Sequence, residues 1–223
     1  LVTVLFPVIS ELQDDSEKLL KLYHRATKTI VSALVFIVLT LICRSKVFLS
    51  LWINQSFAEK SAPILIVLVL SFSVISLLCI VWQLAEGFGN PRFNAIISFL
   101  WLAVSLPLMI WLIFPLGNLG TAIGRLAGHL ITLPFIFIGE KMFLGSIQWR
   151  FWSKLCLILG TAALFSSITE TAIFYTFEAN WVILIIGTFS CAVVYGLSLL
   201  FLKFFTQEET NILRGIFLRK SVN

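Results

Sequence analysis

The sequence predicts an all-α, polytopic integral membrane bundle with six transmembrane helices. Of its 223 residues, 59% are hydrophobic and only 12% are charged, about half the charged fraction of soluble domains, which is roughly 25%. The mean hydropathy is +1.02. Six apolar runs approach the roughly 20 residues needed to cross about 30 Å of hydrocarbon. A soluble fold would need more polar surface, whereas lipid tolerates an apolar exterior.

The first run is the least regular of the six. It covers residues 29–43 and resumes at 47–53, after Arg44 and Lys46. It is either one long helix whose two cations snorkel near its end, or a short span followed by an interfacial turn. The other five runs follow at residues 64–82, 95–114, 121–138, 155–175 and 182–202.

Turn residues and tryptophans mark the ends of these runs. Glycine, proline and asparagine occur in the breaks at residues 87–91, 115–118 and 178–180. Pro107 and Pro134 lie inside runs and are expected to kink those helices. Five tryptophans at run ends predict an interfacial aromatic belt: Trp52, Trp82, Trp149, Trp152 and Trp181.

The chain is predicted to be the C-terminal part of a 12–14-helix protein. Residues 1–9 are apolar but lack a preceding charged segment, so they do not resemble a signal peptide. They read either as the end of an upstream span or as a trimmed chain that begins in a loop. The predicted organisation is the upstream end and a cytoplasmic loop (1–28), a four-helix bundle (29–138), a second cytoplasmic loop (139–154), two accessory helices (155–202) and a cytoplasmic tail (203–223).

The distribution of basic residues predicts the orientation. The formal net charge is +5, but the cations occupy short loops, where they set topology and contact anionic lipids rather than nucleic acid. Most of them, including Lys21, Arg150 and Arg214, lie on one side, whereas the opposite loops hold Arg44, Lys46 and Lys60. The positive-inside rule therefore places the C-terminus in the cytoplasm.

Arg125 is the most expensive residue for a membrane to accommodate. It lies inside the fourth run, with His129 one turn later on the same face. A charge at mid-depth costs at least about 2.5 kcal/mol and normally finds a partner or water. Glu170 lies at a similar depth in the fifth run and is a candidate partner. Arg125 could face an anionic substrate, form a gating or structural ion pair, or snorkel to the interface.

Other polar residues carry weaker signals. Glu86 and Arg92 flank the glycine-rich break and predict a salt bridge in a cytoplasmic loop. The four cysteines lie in apolar runs without CxxC spacing, which indicates packing rather than disulfide or metal binding. Phosphate-binding loops, HExxH and Ser- or Cys-based nucleophile patterns are absent from the sequence. We therefore expect no enzyme activity, no cofactor and no metal.

Five segments together resemble a known transporter family. FPVISEL (6–12) and DSEKLLKLYHRA (15–26) resemble the central cytoplasmic loop of the polysaccharide (O-antigen or exopolysaccharide) flippases, which belong to the multidrug/oligosaccharidyl-lipid/polysaccharide exporter superfamily. LSLWINQSFA (49–58) resembles an outer-side element, with Asn54 where the family usually has glycine. EGFGNPR (86–92) and PLGNLGTA (115–122) resemble two of its turns.

The resemblance implies a fold, a substrate and a location. The chain would supply the last six spans of a fourteen-helix transporter in the bacterial inner membrane, with an absent N-terminal half as its partner. Such proteins flip undecaprenyl-pyrophosphate-linked oligosaccharide by alternating access. Arg125 would contact pyrophosphate or acidic sugar, and the last two spans would be accessory helices near the lipid tail.

Three alternatives stay open. A multidrug exporter of the same superfamily usually needs acidic residues within the spans, and this chain offers Glu170 and, at a helix end, Glu86. A membrane-embedded polysaccharide polymerase or ligase should have a large outer loop, yet the predicted outer loops are short. A non-transporting scaffold would not require Arg125 to be buried.

Overall fold

A computed structural model describes residues 5–176 and 180–204, and these residues form helices and turns without a β-strand. Six helical segments are long and apolar enough to cross a membrane, by length and composition, which confirms the predicted fold class. The helices in chain order are α1 (Leu5–Leu12), α2 (Ser16–Trp52), α3 (Gln55–Gly87), α4 (Pro91–Leu116), α5 (Asn118–Leu130), α6 (Pro134–Phe143), α7 (Trp149–Thr176) and α8 (Trp181–Phe201).

The first run forms one long helix. α2 has 37 residues and is about 55 Å long at about 1.5 Å per residue. No glycine or proline interrupts it. The Asp15 side chain caps its start by accepting a hydrogen bond from the Lys18 N–H. Hydrogen bonding to Lys18 also lowers the pKa of the Asp15 carboxyl from its ordinary value. Of the two alternatives for this run, the structure has the long helix.

Three of the five resemblance motifs, those at residues 49–58, 86–92 and 115–122, include tight connections between helices. Asn54 caps α3, and its side-chain oxygen accepts a hydrogen bond from the Phe57 N–H at 2.9 Å. Gly89 and Gly117, in the next two turns, have φ values of 66° and 57°, a left-handed backbone that favours glycine. The third break lies partly at residues 177–179, outside the described part, and α8 begins after its cap, Asn180.

The fourth run is one candidate span, Asn118–Phe143, in which turns at residues 131–133 separate α5 from α6. Proline lacks the N–H that continues the helical hydrogen-bond pattern, and the bonds here join residues three apart, as from the Thr132 N–H to the His129 carbonyl oxygen at 3.0 Å. Leu133 keeps helical angles, with φ −55° and ψ −40°, so the α-helix is interrupted before Pro134 within a single span. By contrast, α4 continues through Pro107 without a break.

α3 is at the centre of the bundle and contacts α1, α2, α4, α5 and α6. α2 lies beside it and also contacts α7 and α8, which pair with each other. Among the described residues, α2 and α3 therefore lie in the middle, with the α4–α5 pair against α3 and the α7–α8 pair against α2.

Three glycines bring α5 against α4. Gly120, Gly124 and Gly128 recur every fourth residue, the small-residue spacing that lets membrane helices approach closely. A Cβ at Gly120 would lie 2.0 Å from the Leu112 carbonyl oxygen, and one at Gly124 would lie 2.6 Å from the Met109 nitrogen. Because the obstructing atoms are backbone, these positions accept only glycine at this helix separation. The contact fixes the rotation of α5 and hence the direction in which Arg125 points.

Candidate functional site

Arg125 extends from α5 to Phe72 of α3. The guanidinium carbon is 4.7 Å from the centre of the Phe72 ring, within the range of a cation–π interaction. The side chain is half-buried. Its Nε is buried and has no hydrogen-bond partner among the described residues. In the described part of the chain, Arg125 thus contacts an aromatic ring and forms no ion pair with a carboxylate.

His129 faces α3 from the same side of α5, as the sequence predicts. The imidazole is 2% exposed, and its Nδ1 lies 2.7 Å from the hydroxyl oxygen of Ser71. Its ring stacks on Trp101, with 5.4 Å between the ring centres. Ser71 precedes Phe72 in α3, so His129 and Arg125 contact two adjacent residues of one helix. Arg125 and His129 therefore form one small site, in which the histidine is already hydrogen-bonded.

A cavity extends from His129 between α3, α4 and α5. Its volume is about 320 Å³, and its walls include the hydroxyl-bearing residues Ser98 and Thr132 as well as Trp101. The Thr132 hydroxyl donates to the His129 carbonyl oxygen at 2.6 Å. The Ser98 hydroxyl likewise donates to the Asn94 carbonyl oxygen at 3.0 Å, so the cavity beside His129 is almost wholly apolar.

Glu170 has a different partner from the one the sequence suggested. Its carboxylate forms a buried ion pair with the Arg44 Nε. The side chains of Arg44 and Glu170 are 4% and 1% exposed. Arg44 also donates to the Leu184 carbonyl oxygen at 2.7 Å and to the Thr188 hydroxyl. This cluster joins α2 to α7 and α8, away from Arg125.

The prediction that Arg44 snorkels toward the interface is therefore wrong. A snorkelling cation keeps its charge in water, whereas Arg44 is buried against a carboxylate. Lys46 behaves more nearly as expected, since it is exposed and reaches Glu59 across the α2–α3 turn at 3.9 Å.

A second buried carboxylate, Glu140, was not identified from the sequence. It is 0% exposed and accepts hydrogen bonds from the Tyr23 hydroxyl at 2.7 Å, the Trp152 Nε1–H at 2.6 Å and the Gln148 N–H at 2.9 Å. All three donors are neutral. The carboxylate thus links α2, α6 and the start of α7, whereas Glu170 lies near the other end of α7.

The predicted loop salt bridge between Glu86 and Arg92 is not found in this part of the described chain. Glu86 instead accepts a hydrogen bond from the Trp82 Nε1–H at 2.8 Å, one turn earlier in α3. Arg92 is exposed in the first turn of α4. Trp82 and Trp152, predicted as members of the interfacial belt, thus both donate to carboxylates at helix ends, whereas Trp52 and Trp149 are largely exposed.

Within residues 5–176 and 180–204, no three His, Cys, Asp or Glu side chains are grouped as metal ligands would be. Cys191 is buried, with its Sγ 3.9 Å from a Glu170 carboxylate oxygen. The described residues thus contain two buried carboxyl groups with internal partners, Glu170 and Glu140, and a half-buried arginine, Arg125, whose recorded contact is aromatic.

Comparison of the chain with protein-family models, curated proteins and solved structures finds no match. The resemblance to polysaccharide flippases therefore depends on the five sequence segments.

Proposed function

We propose that this chain belongs to a membrane transporter that flips lipid-linked oligosaccharide, carried on undecaprenyl pyrophosphate, across the bacterial inner membrane for polysaccharide biosynthesis. The observation that carries the proposal is Arg125. It is a half-buried arginine within a span that lies over the Phe72 ring, and no carboxylate in the described residues binds it.

The energetic argument favours an external anion. A cation at mid-depth costs at least about 2.5 kcal/mol, whereas a cation–π contact returns about 0.5–2 kcal/mol. The contact with Phe72 therefore returns less free energy than the charge costs, and the buried Nε still needs an acceptor. Pyrophosphate offers several anionic oxygens in the geometry that guanidinium binds bidentately. The Arg125 guanidinium is thus suited to a phosphate-linked cargo.

The short connections argue against a polymerase or ligase. α4 and α5 are separated by Gly117 alone, and α2 and α3 by two residues. An enzyme acting on the same lipid-linked sugars would need a larger extramembrane platform for its catalytic residues. We therefore propose a transporter, with cytoplasmic termini and no catalytic activity of its own.

Complementation tests the proposal. The full-length gene is expressed in a bacterial strain that lacks its polysaccharide flippase, and surface polysaccharide is measured by gel and immunoblot. We expect restoration by the natural protein, severe loss with Arg125→Ala and partial recovery with Arg125→Lys, which keeps the charge but not the bidentate geometry.

The matched control is Arg92→Ala. Arg92 is also an arginine but is exposed at a helix start, so its loss should leave surface polysaccharide unchanged. Membrane levels of every variant are compared by immunoblot. Full surface polysaccharide with Arg125→Ala at equal protein levels would refute the role of Arg125, and failure of the natural protein in matched strains would refute the substrate class.

A cation-coupled multidrug exporter is the second candidate, and Glu140 favours it. Cation-coupled exporters of this superfamily usually need acidic residues within the spans, and Glu140 is a buried carboxylate inside the bundle with the neutral donors Tyr23 and Trp152. If this candidate is correct, expression should raise resistance to cationic drugs, and Glu140→Gln should remove that resistance. Unchanged drug sensitivity, together with restored polysaccharide, would decide for the flippase.

A further inference from the structure

A large apolar cavity lies between α2, α3, α6 and α7, on the opposite side of α3 from Phe72 and Arg125. Its volume is about 590 Å³. On α2 it runs from Val31 to Ile42, and on α7 from Trp152 to Ala163. No part of the proposed transport function assigns a role to it.

The polar atoms in the walls are already satisfied. The Ser73 hydroxyl donates to the Val69 carbonyl oxygen at 2.6 Å, and the Trp152 Nε1–H donates to Glu140. The remaining lining is aliphatic, aromatic or the Cys156 thiol. Buried water requires two to four polar partners, and these walls do not offer them. The cavity is therefore suited to hydrocarbon.

The cavity opens toward the lipid-facing surface. Cys156 and Gly160 line it and are exposed. Beside them on α7, Leu157 and Leu164 are 67% and 64% exposed, as expected for side chains that contact lipid tails. A hydrocarbon chain can therefore enter sideways from the bilayer without crossing a polar barrier.

The length of the cavity matches a single leaflet. From Val31 to Ile42, and likewise from Trp152 to Ala163, a helix rises about 16 Å, close to half of a hydrocarbon core of about 30 Å. Trp152 lies in the first turn of α7, so the cavity begins at the α6–α7 end and stops near mid-membrane. A polar cluster lies beyond each end of the cavity. Glu140 lies at the α6–α7 end, and Arg44 with Glu170 lies toward the other end of α7.

We propose that this cavity binds one acyl chain of a bilayer phospholipid from the leaflet at the α6–α7 end. The match to one leaflet favours an ordinary acyl chain over a long polyprenyl tail. The chain fills space between α2 and α7 that the side chains leave open, and so joins the α7–α8 pair to the rest of the bundle.

Native mass spectrometry of the full-length protein in detergent tests the proposal, with palmitoyl-oleoyl phosphatidylethanolamine as the probe. Gly160 lines the cavity, and an added Cβ there meets no atom within 4 Å, so Gly160→Phe adds a ring at the cavity wall without a backbone clash. We expect one retained phospholipid on the natural protein and its loss in Gly160→Phe.

Gly196→Phe is the matched control. Gly196 lies on α8 with equally open space and does not line the cavity, so this variant should retain the lipid. Equal retention by all three proteins, or no retention by the natural protein, would overturn the site. Preferential retention of polyprenyl phosphate, when both lipids are supplied, would overturn the phospholipid assignment.

Thiol alkylation gives a measurement that needs no variant. Cys156 lines the cavity, whereas Cys43 is also exposed but lies outside it. Adding the phospholipid to delipidated protein should slow maleimide labelling of Cys156 and leave Cys43 unchanged, as measured by peptide mass spectrometry. Equal slowing at both thiols would indicate only a general lipid coat and would contradict the proposal.

Discussion

Two arginines in this chain meet the same membrane problem in different ways. Arg44 is buried against Glu170 and reaches Leu184 and Thr188, so three helices share its charge. Arg125 lies over the Phe72 ring, and its Nε has no acceptor among the described residues. Both are about 10–12 Å from the same end of the bundle, judged from helix rise.

The difference teaches how to separate a structural charge from a functional one. An internal ion pair satisfies itself, and removing one member leaves the other charge buried. A cation without an internal anion can bind a ligand without first breaking a bond. We therefore expect substitutions at Arg44 to act on stability and substitutions at Arg125 to act on transport.

The largest stability effect is expected from Arg44→Met. It leaves the Glu170 carboxylate buried without its cation, which typically costs about 3–5 kcal/mol. Glu170→Gln should cost a similar amount for the converse reason. Unfolding is measured by heating or by denaturant in detergent, with helix loss followed by circular dichroism.

The double variant, Arg44→Met with Glu170→Gln, is the control for the ion pair. Because it removes both charges, its loss of stability should be well below the sum of the two single losses. Additive losses would show that the two side chains contribute independently and would contradict the ion-pair account.

A smaller effect is expected from Glu140→Gln. Glutamine keeps one oxygen to accept hydrogen bonds, but its NH₂ group faces a former donor, leaving one buried donor unsatisfied at a cost of about 1–3 kcal/mol. The same unfolding assay measures it. Tyr23→Phe, which removes only one donor, should cost less, and a larger loss in Tyr23→Phe would contradict the role of Glu140 as the shared acceptor.

Gly124→Ala tests whether helix contact positions Arg125. The new Cβ would lie 2.6 Å from a backbone nitrogen of α4, and overpacking of this kind typically costs about 1–3 kcal/mol. The shift of α5 should also reduce polysaccharide complementation. Gly196→Ala, which meets open space, is the control, and equal behaviour of the two variants would contradict the close contact.

The smallest loss of stability is expected from Arg125→Met. It removes a cation–π contact worth about 0.5–1 kcal/mol at a partly exposed position and also the larger cost of holding the charge there. The unfolding free energy should therefore not fall, while complementation is lost. A loss as large as that of Arg44→Met would show that Arg125 has a structural partner.

The spans follow closely from the sequence because lipid imposes a simple constraint of length and apolarity. Glycine and proline at residues 87–91 and 115–118 mark turns by local backbone chemistry, and the structure has turns there. Pro134 is the exception. Its effect, a kink or a break, depends on neighbouring helices, and periodicity alone does not contain that information.

The polar contacts could not be predicted in the same way. The sequence assigns Glu140 to the loop at residues 139–154 because it follows the end of the fourth apolar run, and its donor Tyr23 is 117 positions away, so spacing along the chain does not reveal their contact. Arg44 lies near a run end, where snorkelling is the usual outcome, and only the packing of α7 and α8 buries it. The repeat of Gly120, Gly124 and Gly128, by contrast, was visible in the sequence and could have predicted the α4–α5 contact.

The unbroken length of α2 has a mechanical consequence. At about 55 Å, it exceeds the hydrocarbon thickness of about 30 Å, and it contains no glycine or proline at which to bend. Its first turns carry Glu17, Lys18 and Lys21, and Arg44 lies near its far end. A force applied to the charged first turns of α2, by a partner domain or by the lipid headgroups, would therefore tilt the whole helix. The α7–α8 pair, which contacts α2, would move with it.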